Sequence, residues 1–175
     1  MVTLWLPVRM PGMNELLDKR MARSRAAKTS VQWNGYSDLK RQWASKIKVL
    51  AFHRRFAFVA RGFFTYLFIE PNKRRDKSNV IAGGIKLIED ALVDAKILPN
   101  DGWGVVDDIR PYVTLGSETK YGVLLAVRDD RVLELAEMLE LAEKEHGQTK
   151  RENRERARSL RDGSDQQAAR EPAGG

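Results

Sequence analysis

There is no cysteine anywhere in the 175 residues. Disulfides and thiolate metal centres are therefore excluded, and a chain of this length is expected to hold its fold through its own core. A reducing compartment is compatible with that. No apolar run approaches the length that spans a membrane, and MVTLWLPVRMPGM at the N-terminus is too short, and too interrupted by Pro7, Arg9 and Pro11, for a signal-peptide core. Internal repeats are missing as well. These absences lead to the expectation of one soluble, cytoplasmic domain.

What is present is charge, unevenly spread. The formal net charge is +7. Residues 1–60 carry 12 Lys/Arg against 3 Asp/Glu, residues 61–146 carry 12 against 16, and residues 147–175 carry 7 against 5. A basic first third beside an acid-rich middle suits a polyanion partner, with cations for phosphates and carboxylates for a metal.

Apolar spacing predicts strands at Val2 to Val8 and Phe56 to Glu70, the second with a bulge at Gly62. Two more, at Gly104 to Leu115 and Lys120 to Arg128, read as a hairpin turning through Gly116 and Ser117. Helices are expected over Asp38 to Phe52, from Leu39, Trp43, Ile47 and Leu50, and over Val80 to Ala95, ending at Pro99. A last amphipathic helix carries Val132, Leu135, Met138, Leu139 and Ala142. Asn14 to Ser30 is helix-permissive and cationic. The expected division is a domain at 1–146 and a charged extension at 147–175, helical to about Leu160 and then disordered.

The chemistry gathers around NKRRDKSNV, residues 72–80, where three cations run into Asp76 between a strand and a helix. A solvated turn with Asp76 or Ser78 as helix N-cap is one reading. On the following helix, Asn79, Gly83, Lys86 and Asp90 share a narrow sector opposite Ile81. Gly83 there would let another backbone approach closely. Beyond the helix, ILPNDGW places Asp101 on a turn. Spacing along a straight helix, about 20 Å, separates Asp101 from Asp76 unless the loop folds back.

Taken in order, KRRDKSNV, GIKLIEDALVDA and ILPNDGW resemble the RusA family of Holliday junction resolvases, endonucleases common in phages and prophages, over roughly Glu70 to Val106. A weaker echo lies at PGMNE, Pro11 to Glu15. The resemblance implies an α/β fold, a small mixed β-sheet with packed helices, in a homodimer. It also implies a Mg²⁺-dependent hydrolase, with Mn²⁺ as a substitute, that nicks four-way or other branched DNA in recombination and repair. Carried over by position, Asp76 and Asp101 are the catalytic metal ligands and Lys86 the catalytic lysine. Ser78 stands where the family has a second motif aspartate, so Ser78, Asp90 and Glu70 are weaker candidates for the metal shell. Lys73, Arg74, Arg75 and Asn79 are expected on DNA, joined by Asn14, Lys19 and Arg20. Insertion around Ile81 to Gly84 suggests that Ala82, Gly83 and Gly84 form a loop or irregular first turn. Two other readings stand beside this one: a non-catalytic nucleic-acid-binding module, and a nuclease for a different branched DNA.

Overall fold

The structure, a computed structural model, describes residues 1–17 and 35–168, with side chains at 1–17 and 38–155. Lys19 and Arg20, and most of the cationic stretch 14–30, lie outside the described residues. In chain order the elements are β1 (Val2–Leu6), α1 (described over 13–17), α2 (Gly35–His53), β2 (Gly62–Glu70), α3 (Lys77–Asp94), β3 (Val106–Leu115), β4 (Gly122–Arg128) and α4 (Leu135–Ala168). No helix among the described residues is long and apolar enough to cross a membrane.

The four strands form one mixed sheet in the order β1-β4-β2-β3. β4 runs antiparallel to both β1 and β2, whereas β2 and β3 are parallel and joined through α3. The expected β3–β4 hairpin is therefore not formed. β2 lies between them, and only a Ser117–Lys120 bridge remains at the turn. Composition explains the exchange. β2 and β4 are almost wholly buried and take the centre. β3, with Asp107, Asp108, Arg110 and Pro111, suits an edge where charge faces water and a proline costs no ladder bond. The bulge is found, as a register shift between Gly62 and Phe63. The strand begins only there, so Phe56 to Arg61 is not part of it.

Alternation along the strands divides the core. Leu4, Leu6, Phe64, Tyr66, Phe68, Leu125 and Val127 face α2 and α3, while Trp5, Leu67, Ile69, Leu124 and Ala126 face Met138 and Ala142 of α4. The sheet is thus sandwiched between helical layers.

α3 is continuous through Ala82, Gly83 and Gly84, which corrects the expected loop. Both glycines are needed for packing. A Cβ on Gly83 would lie 2.6 Å from Gly12 C and 2.7 Å from Pro11 O, and one on Gly84 would lie 2.4 Å from a Phe68 ring carbon. The close backbone approach expected at Gly83 is present. α3 ends at Asp94, before Pro99, because Lys96 adopts φ 57° and lets the Lys96 and Ile97 N–H groups close back on Val93 O and Leu92 O. α4 runs past Leu160 to Ala168. Just beyond His146 it packs, since Arg54 donates to Thr149 Oγ1 at 2.6 Å and to Glu152 Oε1 at 3.1 Å.

Candidate active site

The exposed face of α3 carries two polar clusters. At its N-terminal end, Asp76 occupies the N-cap position but makes no side-chain cap bond. Asp76, Lys77 and Ser78 are exposed, as are Lys73 and Arg74 in the preceding turn. A pocket of about 480 Å³ opens here, bounded by Glu70, Asp76 and Lys77 on one side and by Val113 to Leu115 on the other.

Arg75 does not share this exposure. Its side chain is 8% exposed, and its guanidinium grips both Glu70 oxygens, at 2.6 and 2.8 Å from Nη2, while Nη1 donates to Met10 O at 2.6 Å. Arg9 adds a 3.5 Å contact to Glu70. This buried pair fixes the turn to the segment after β1, and it leaves Glu70 little capacity for a metal. Asn79 is engaged in a similar way: its Oδ1 accepts the Asn14 N–H at 2.7 Å, and its side chain lies over Gly12. Arg75, Asn79 and the Asn14 backbone thus join α3 to the start of α1.

The second cluster stands about 15 Å further along the helix, ten residues beyond Asp76. Lys86 Nζ reaches Asp101 Oδ2 at 2.7 Å and Asp90 Oδ1 at 2.9 Å, and Lys40 of α2 reaches Asp90 Oδ2 at 3.0 Å. The loop after α3 does fold back, and it brings Asp101 onto the middle of the helix. The hydrogen bonds that Lys86 donates to Asp101 and then to Asp90 raise its pKa well above its ordinary value, so the ammonium stays charged. In return, the Lys86 hydrogen bond holds the Asp101 carboxyl below the usual range.

Beneath this cluster lies a pair with no sequence signal. The buried Tyr66 hydroxyl donates to Glu89 Oε1 at 3.1 Å, and burial pushes both pKa values up. Glu89 follows Lys86 by three residues yet turns inward, toward the sheet. Lys40 was readable only as a cation off the apolar face of α2; its link to Asp90 depends on how α2 packs against α3.

Magnesium is usually held by one or two carboxylates together with water and substrate phosphate. Of the two carboxylates that converge on the Lys86 ammonium, Asp101 is paired through Oδ2 alone, whereas both oxygens of Asp90 are paired, with Lys86 and Lys40. No group of three or more His, Asp or Glu side chains among the described residues could enclose an ion. No hydrogen bond joins Asp76 or Ser78 to Asp101, whose side chain is held by Lys86. The sequence matches no protein-family model and no curated protein.

Proposed function

We propose that this chain is a metal-dependent endonuclease for branched DNA, with four-way junctions as the leading substrate. The observation that supports this most is Lys86 held between Asp90 and Asp101, on the same face of α3 whose N-terminal end presents Lys73, Arg74 and Asp76. Such a face offers cations for phosphate and uncommitted carboxylate oxygen for a divalent ion within one helix length. A bound Mg²⁺ or Mn²⁺ supplies a deprotonated water and stabilises the leaving oxygen. Asp101 would hold it through its unpaired oxygen, Asp90 would join once Lys86 turns away and frees its Oδ1, and Asp76 would present a further carboxylate toward the DNA.

The protein's own groups account for the rest. Lys86, half exposed on a flexible stem, remains protonated and can turn from the carboxylates to charge developing on a phosphate. Lys73 and Arg74 hold backbone phosphates and carry no sequence information themselves. In a two-fold dimer, paired sites would address opposite strands of one junction.

The test is incubation of the protein with a labelled four-way junction and a matched linear duplex, with and without Mg²⁺. Paired nicks confined to the junction are expected. Binding that survives EDTA, with no nicking in either metal, would leave a non-catalytic binding module; nicks on flaps but not on junctions would move the substrate to another branch.

A further inference from the structure

Large aromatic rings are exposed at some cost unless exposure serves contact with something else. Trp103 is 98% exposed, and it stands on an ordered turn. The Gly102 N–H donates to Asn100 Oδ1 at 2.9 Å, and the Val105 and Val106 N–H groups donate to Gly102 O at 2.9 and 3.0 Å. A Cβ added to the next residue, Gly104, would meet nothing within 4 Å. At that exposure the indole is open to solvent on both faces, two residues from Asp101.

A second ring lies on the adjoining segment. The Val59 N–H donates to Ile97 O at 3.0 Å and the Gly62 N–H to Val105 O at 2.9 Å, which lays residues 58–62 along 97–105. Phe58 there is 62% exposed. Arg55, three residues before Phe58, and Lys96, next to Ile97, are both exposed. Among the carboxylates of this strip, Asp101 is paired with Lys86 and Asp107 with Arg61, while Asp94 is exposed at the end of α3.

Aromatic faces interleaved with cations are the composition that holds single-stranded nucleic acid, since rings stack on any base and cations follow the backbone. A protein partner would be better served by a continuous apolar patch, and charge interrupts this strip. We infer that Trp103 and Phe58 form a stacking platform for unpaired bases, with Arg55 and Lys96 along the accompanying backbone. This rests on the branched-DNA reading of the Lys86–Asp101 site: bases at a branch point are unstacked, and a platform beside that site would hold them there.

The experiment compares binding of a short fluorescein-labelled oligothymidylate and of a linear duplex by the full chain, Trp103→Ala, Trp103→Phe and Phe58→Ala. Trp103→Ala is expected to weaken single-strand binding roughly tenfold with duplex binding unchanged, Trp103→Phe to restore most of it, and Phe58→Ala to show a smaller loss. Unchanged single-strand affinity in Trp103→Ala overturns the platform. So does an equal loss on both nucleic acids with a smaller species in sedimentation, which would make the ring a contact between copies. Junction nicking is read separately on the full chain. Stacking without nicking removes the endonuclease and leaves the platform; nicking without single-strand binding does the reverse.

Discussion

Neighbouring arginines in one turn have different work to do. The Arg75 side chain is buried against Glu70, Nε donating to Oε2 and Nη2 to Oε1, while Arg74 is exposed. Removing one partner of a buried pair strands the other charge, so Arg75→Ala is expected to cost about 3–5 kcal/mol in a urea titration. Arg74→Ala should leave stability within about 0.5 kcal/mol and lower the salt dependence of DNA binding by roughly one phosphate contact. At the second cluster, the depressed Asp101 pKa means that its pairing with Lys86 adds stability above the unfolded carboxyl's pKa of roughly 3.9 and loses it as pH falls through the lower folded value. The pair is half exposed, so that contribution is small. A carboxyl NMR titration should place Asp101 below the usual range and move it back toward that range in Lys86→Gln, which should also nick far more slowly.

Within α3, the two glycines invert the ordinary helix rule. Alanine normally gains about 1 kcal/mol over glycine inside a helix. At Gly83 the added carbon would meet backbone of residues 11–13, which cannot step aside as a flexible side chain would. Gly83→Ala is therefore expected to destabilise by about 1–3 kcal/mol in urea, while the exposed Ala82→Gly costs only about 1 kcal/mol. Gly83→Ala should also reduce nicking, since the 11–13 segment packs on the face that carries the candidate site. A more stable Gly83→Ala would show that this segment is held elsewhere.

Across the whole molecule, the start of the C-terminal extension is structural. Arg54 is largely buried, and its partners Thr149 and Glu152 come from α4 beyond His146, with Glu145 at 3.9 Å. Ending the chain at His146 removes two of them. Differential scanning calorimetry should show a loss of about 1–3 kcal/mol, with the midpoint lowered by several degrees, and Arg54→Ala should reproduce much of it. An unchanged midpoint in the shortened chain would make those hydrogen bonds incidental.

Element identity followed from local pattern. β-branched and aromatic runs, Gly62, and the three- and four-residue apolar spacings marked the strands, the bulge and the helices, because side-chain period is a property of neighbouring residues. The polar face of α3 was legible for the same reason, as was the possibility of close approach at Gly83. Pairing was not legible. Short separation in sequence favoured a β3–β4 hairpin, but burial of β2 on both faces placed it at the centre and sent β3 to the edge. Nor could local pattern tell that Arg75 turns inward to Glu70, that Asp101 returns to Lys86 in mid-helix, or that Glu89 lies under the site. Each of these depends on which elements pack together, and charge in a sequence carries no mark of the partner that folding will bring beside it.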